Sequence, residues 1–219
     1  MTVFTPVETH VTYSQLAIRP VDGFTGLPPR SEVNVRLEFE DATPAWQPTN
    51  RKPIKSLSGN LLFPGLGRSA DRAAAPITHY RVFVESEFYR PLYLRTLDAI
   101  EFDVHPYDDD NAPAVVPPVP QVVTLTPAAN YPFESFVRVV RGRTIDGVTL
   151  LPVANAEVFF GAGVDQVITD ERGVFALPLR WPPLVGSITI DAVDHRNGVA
   201  SSANINLPAA LTQPLMIAF

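Results

Sequence analysis

Apolar and polar residues alternate with a period of two through most of the chain. In Ser31-Glu32-Val33-Asn34-Val35-Arg36-Leu37-Glu38-Phe39 the alternation puts Val33, Val35, Leu37 and Phe39 on one face. Polar or charged side chains fall on the other, which is the signature of a half-buried antiparallel strand. Tyr80, Val82 and Val84 mark a second such strand over 80–85. Further strands are predicted at 11–19, 59–63, 91–95, 99–104 and 121–125 in the first half. In the second half they are predicted at 136–143, 156–161, 164–169, 173–179, 186–193, 198–206 and 213–218. Only Ser69-Ala70-Asp71-Arg72-Ala73-Ala74-Ala75 has helical composition. Pro76 ends it, and a helix of one or two turns is marginal by itself.

The elements recur. Leu16 through Pro29, followed by Val33 and Val35, matches Val139 through Pro152, followed by Ala156 and Val158. Each half then carries a small polar residue, a glycine and a phenylalanine in a hairpin, at Ser58–Phe63 and Asp170–Phe175. The expected fold class is therefore all-β: two tandem Ig-like antiparallel β-sandwiches. The first sandwich is placed at 1–126, a connector at 127–135 and the second sandwich at 136–219. Two irregular segments belong to the first: a loop over 40–58 holding Pro44, Pro48 and Pro53, and a Pro/Asp-rich stretch over 105–120 expected to be extended and semi-rigid.

Composition agrees with short strands. The 219 residues contain 23 prolines against 12 glycines, and prolines at that density break helices while suiting turns and strand edges. The net charge of −6 argues against a nucleic-acid partner, because phosphate binding needs a clustered basic surface and the arginines here are scattered among carboxylates. Without cysteine there are no disulfides and no thiolate chemistry. Met1–Glu8 lacks the basic-then-apolar pattern of a signal peptide, and no apolar run is long enough to insert in a membrane. The expected location is the cytoplasm, or a particle released without a signal peptide.

Gly142, the Asp146-Gly147 turn, Pro152-Val153, Ala156-Glu157-Val158 and Thr169-Asp170 through Gly173-Val174-Phe175 carry a resemblance. In these residues 137–219 look like a carboxypeptidase regulatory-like domain, a small transthyretin-like β-sandwich, and residues 11–104 resemble it faintly. Gly147 and Gly173 suit turn positions with positive φ, Ala156 a crowded inter-sheet core, and Phe175 a large core position. The resemblance implies a folding support, spacer or docking surface rather than a reaction. A second likeness lies in Leu125-Thr126-Pro127 through Tyr131-Pro132-Phe133, running into Val139-Val140-Arg141-Gly142-Arg143. It is similar to junctions in accessory proteins of phage-tail-like contractile injection systems, which implies an adaptor within such an assembly.

No residue set points to catalysis, a metal or a cofactor. His10, His79, His105 and His195 lie in separate segments without ligand spacing. Asp108-Asp109-Asp110-Asn111 lacks the spacing of a calcium loop and reads as a solvated acidic turn. There is no Gly-x-Ser-x-Gly elbow. Intradiol dioxygenases require two tyrosines and two histidines, and the second half offers Tyr131 and His195. Glu85, Glu87 and Asp103 read as the wet side of a sheet rather than a glycosidase pair. Candidate contacts with a partner or ligand are aromatic: Trp46, Phe88, Tyr89, Tyr93 and Trp181, with Phe88 and Tyr89 alternatively capping the first core. The expected role is a non-enzymatic structural or adaptor protein that binds other proteins. The alternative is a carbohydrate- or surface-binding β-sandwich module using Trp46.

Overall fold

The computed structural model describes residues 12–115, 119–161, 163–180 and 185–219. In chain order the first strands are β1 (Ser14–Asp22), β2 (Val33–Glu40), β3 (Trp46–Pro48), β4 (Ile54–Lys55) and β5 (Leu61–Pro64). They are followed by β6 (Thr78–Ser86), β7 (Tyr89–Pro91), β8 (Ile100–Val104) and β9 (Gln121–Pro127). Then come β10 (Arg138–Ile145), β11 (Glu157–Phe160), β12 (Asp165–Ile168), β13 (Val174–Leu179), β14 (Gly186–Asp194), β15 (Val199–Leu207) and β16 (Leu215–Ala218). The chain is all-β, in sheets ordered β4-β5-β1-β9-β7, β3-β2-β6-β8, β13-β10-β16 and β12-β11-β14-β15.

Two local expectations change. The 40–58 segment is not one loop but holds β3, paired with β2, and β4, paired with β5. Leu92–Arg95 is a 3-10 turn rather than a strand. Leu92 and Leu94 alternate as a strand would, but the Tyr93 carbonyl accepts from Thr96 N (3.0 Å) and Leu97 N (2.9 Å), closing the backbone on itself. The alanine-rich stretch after Ser69 makes a single helical bond, from Ala75 N to the Asp71 carbonyl (3.1 Å).

The described residues group into two compact units. One comprises residues up to Arg19, Val35–Phe83 and Ile100–Val122. It buries Leu16, Ile18, Leu37, Phe63, Val82 and Val104 on its strands, and Leu66 in the turn after β5. Gln15 is buried too, and is fully matched: its amide donates to the carbonyls of Leu66 (3.1 Å) and His105 (2.7 Å), and its carbonyl accepts from His105 N (2.8 Å). This anchors the start of the Pro/Asp-rich segment. Tyr107 anchors it further: the ring is wholly buried and edge-on to Tyr13, and its amide donates to the Gly67 carbonyl (2.9 Å). Residues 105–107 are thus tied into the fold, while 116–118 lie outside the described residues.

The other unit comprises Pro20–Asn34, Val84–Ala99 and Val123–Phe219. Its core joins Val140, Phe175, Leu177 and Ile217 of sheet β13-β10-β16 to Val158, Val167, Ile190 and Ile205 of sheet β12-β11-β14-β15, a two-layer sandwich. β16 runs parallel to β10, while the other pairings of these two sheets are antiparallel. Gly142 pairs directly with Phe175 across β10 and β13, and a Cβ at Gly142 would collide with that ring and with the Leu215 carbonyl. The missing side chain makes room for Phe175, whose burial is worth roughly 2–3 kcal/mol. Ala156, fully buried, has the same space-saving duty between the layers.

Candidate functional site

The connection after β1 and the connection after β10 are the same turn built twice. Asp22-Gly23-Phe24-Thr25-Gly26-Leu27-Pro28 and Asp146-Gly147-Val148-Thr149-Leu150-Leu151-Pro152 agree in Asp, Gly, Thr, Leu and Pro. In the first, Asp22 N donates to Leu27 O (2.9 Å) and Gly26 N to Asp22 O (2.8 Å). In the second, Asp146 N donates to Leu151 O (2.8 Å) and Leu150 N to Asp146 O (2.9 Å). Each aspartate turns its Oδ1 onto the next two available amides: Phe24 and Thr25 at 2.8 and 3.3 Å, Val148 and Thr149 at 2.9 and 2.6 Å. Each glycine donates to a neighbouring strand end, Gly23 to Leu125 O (2.8 Å) and Gly147 to Phe219 O (2.9 Å).

Gly147 has no positive φ. Glycine is required there by close approach, since a Cβ would stand 2.9 Å from the Phe219 carbonyl oxygen. The left-handed position is Leu150 (φ 60°), where the first turn has Gly26 (φ 72°). Gly173 does take positive φ, in the hairpin capped by Asp170.

The surroundings of the two turns differ. Asp22 is completely buried, and its Oδ2 accepts from the hydroxyls of Tyr89 (3.0 Å) and Tyr131 (3.1 Å). Burial holds both phenols above their ordinary pKa, so they remain donors at any physiological pH. Phe24 packs edge-on to Phe133 (5.7 Å) and Tyr131 (6.5 Å), and Arg180 lies over it while donating to the Gly23 carbonyl at 2.7 Å. At the second turn Val148, Leu150 and Leu151 are 91%, 69% and 64% exposed. The bonds that Asp146 accepts all fall on Oδ1, leaving Oδ2 without a donor from the described residues.

The aromatic candidates are placed as follows. Tyr89 is buried on Asp22, and Tyr93, half-buried, accepts from Val84 N through its hydroxyl (3.0 Å). Phe88 is half-buried. Trp181, like His10, lies outside the described residues. Trp46, in the other unit, is half-buried with Arg81 over its ring at 4.4 Å and His79 at 5.5 Å. Arg81 also lies over Phe83 (5.1 Å) and pairs with Glu38 (2.6 Å). The His79 ring reaches Asp103 and Glu101, and the Asp103 hydrogen bond raises its pKa.

Two carboxylates of the acidic loop are engaged. Asp108 accepts from Asp110 N and from Asn111, and Asp109 pairs with Arg68 (2.7 Å). No group of three or more His, Asp or Glu side chains among the described residues could hold a metal. A cluster not foreseen from sequence surrounds the buried Glu157: Arg95 bonds both its oxygens (3.0 and 3.1 Å), and His195 Nε2 bonds one of them. These partners are 62 and 38 residues away, so only the fold assembles them.

β15 is the other feature alternation could not rank. Among the described strands the remaining sheet edges are short, charged or proline-bearing: β3 and β7 end on proline, β4 has two residues, β8 carries Glu101 and Asp103, β12 carries Asp165, β13 contains Pro178 and β16 has four residues. β15 is nine residues, Val-Ala-Ser-Ser-Ala-Asn-Ile-Asn-Leu, without charge or proline. It pairs with β14 in an unbroken register from Gly186↔Leu207 to Asp194↔Val199, which leaves its other side as a long open edge.

No family model and no curated protein matches the chain. Among solved structures it is similar to a Streptococcal ancillary pilin, at 12% identity over 94% of this chain and 61% of that one, with a TM-score of 0.32. It is also similar to the TIE protein of Bacillus anthracis, at 15% identity over 95% of this chain and 33% of that one, with a TM-score of 0.28. The chain thus spans less than two thirds of either. No helix among the described residues is long and apolar enough to cross a membrane.

Proposed function

We propose that the protein is a non-enzymatic structural or adaptor component of a larger protein assembly, bound through its sheet edge. The observation that supports this reading is β15. A nine-residue edge without charge, proline or bulge offers unpaired backbone donors and acceptors for strand addition. The other edges carry the features that prevent such pairing. The Tyr-Pro-Phe junction at 131–133 points to a contractile injection system as the kind of assembly, in the cytoplasm or in a particle released from it.

A photo-crosslinking residue at position 204, on the outer side of β15, tests the reading in cells of the source organism. The expected product is an adduct whose partner peptide is an extended segment. Recovery of the chain as an uncrosslinked monomer would overturn the proposal.

A further inference from the structure

We propose that the turn Asp146–Pro152 is a docking site for a tyrosine- and proline-bearing segment of a partner protein. It would be held as the twin turn Asp22–Pro28 holds Tyr131-Pro132-Phe133 of this chain. The inference goes beyond the edge-binding role and uses a different surface of the molecule.

The first turn shows what this backbone receives. Its aspartate Oδ2 takes the Tyr131 hydroxyl, and the side chain two residues later, Phe24, packs against Tyr131 and Phe133. The second turn repeats the same skeleton with those positions unfilled. Asp146 Oδ2 has no donor among the described residues, and Val148, the counterpart of Phe24, is 91% exposed. Leu150 and Leu151 extend the apolar surface beside it. Isolated exposed apolar side chains are ordinary, but here three large ones share one seven-residue turn beside a carboxylate oxygen poised to accept.

Leu150 is a second, independent sign. Its φ of 60° lies in the region that disfavours residues with a Cβ, and the twin turn uses glycine there. The leucine is 69% exposed, so it gains little burial within this chain for that strain. Strain kept at an exposed apolar residue points to use by a partner.

The chemistry of the occupant follows. A phenol supplies the donor for Oδ2 and a ring to cover Val148, and a following proline sets the tight turn seen in this chain, where Phe133 N donates to the Tyr131 carbonyl (2.9 Å) across Pro132. A second copy of the chain is a poor source, because its own Tyr131 and Phe133 are committed to the first turn.

The test uses the full chain and a fluorescently labelled peptide, Ala-Asn-Tyr-Pro-Phe-Glu-Ser, copied from residues 129–135, read by anisotropy. Saturable binding is expected, weakened at least about tenfold by Val148→Asp with Leu151→Asp and by replacing the peptide tyrosine with phenylalanine. Both substituted residues are exposed, so the variant folds, which circular dichroism would verify. Absence of saturable binding at millimolar peptide overturns the proposal, as does binding that the double variant leaves intact. Concentration-dependent self-association abolished by the same variant would assign the surface to a second copy and also overturn it. Crosslinking from β15 is independent of Val148 and Leu151, so the two proposals fail separately.

Discussion

At Asp22 the carboxylate has lost all contact with water and gathers two amides and two phenols, whereas at Asp146 the same local bonds form around a side chain that still reaches solvent. Both turns link a first strand to a second, and both put a glycine against a neighbouring strand end. The aspartate's bonds to the turn amides are therefore local, while the glycine answers to a neighbouring strand. What the surroundings add at Asp22 is tertiary: Tyr89, Tyr131, Phe133 and Arg180 make that turn part of a core.

The sharpest way to break the comparison is to remove each aspartate. Asp22→Ala strands two buried phenol hydroxyls and two backbone amides, and should cost on the order of 3–5 kcal/mol in urea denaturation, since each unsatisfied buried group costs about 1–3 kcal/mol. Asp146→Ala should shift the midpoint only by a small fraction of that, because water replaces the lost acceptor. Equal shifts would mean that burial around Asp22 contributes nothing.

Next in size are the glycines. Alanine at Gly147 would bring a Cβ to 2.9 Å from the Phe219 carbonyl oxygen, so backbone must separate and the Gly147 amide loses its acceptor. At Gly23 the tightest contact is the Thr124 Cγ2 at 3.0 Å, a side-chain atom, with the Leu125 carbonyl oxygen at 3.2 Å. Gly147→Ala should cost about 1–3 kcal/mol, typical of overpacking, and Gly23→Ala less. Thermal denaturation of the two variants side by side would show the order; the reverse order contradicts the close-approach account.

Much of this was legible in sequence and some was not, for identifiable reasons. Strand positions followed from alternation, since Leu37, Val82 and Val84 sit where the period of two puts them. The repeat was visible as well, although Asp-Gly-x-Thr-x-Leu-Pro, with Asp22 opposite Asp146, aligns the halves better than matching Leu16 with Val139. The reason for Gly147 was not legible, because a clash with Phe219 involves a residue 72 positions further on, and a turn glycine alone suggests positive φ. Nor was the ranking of β15 among the edges. Sheet order is a non-local property, and Val199–Leu207 reads like any other polar-faced strand until its neighbours are known.

Exchanging the left-handed residues sharpens the comparison at smaller amplitude. No atom lies within 4 Å of a Cβ at Gly26, so Gly26→Leu bears only the backbone cost of about 1–2 kcal/mol. Leu150→Gly removes that strain but restores about 0.5–1 kcal/mol of chain entropy to the unfolded state, so the net change should be a gain of at most about 1 kcal/mol. A clear loss on Leu150→Gly would show that Leu150 contributes packing within this chain, against the docking role given to it.

The smallest effect separates the turns by acid. Bonds from the Thr149 amide and hydroxyl, with the Val148 amide, hold the Asp146 carboxyl below its ordinary 3.8. A depressed carboxylate contributes stability that is full above the unfolded value and is lost as pH falls through the folded one. The second turn should therefore keep its bracing down to the ordinary carboxylate range and loosen only below it. Carbon-detected NMR of the Asp146 carboxyl should give a midpoint under 3.8, and Thr149→Val should move it upward by removing the hydroxyl donor. In the first turn Thr25 reaches its aspartate through the amide only, and its hydroxyl accepts from Leu27 N, so Thr25→Val removes no bond to Asp22. A midpoint at 3.8 in the parent, or a Thr149→Val variant that titrates unchanged, would show that the local bonds do not brace the open turn.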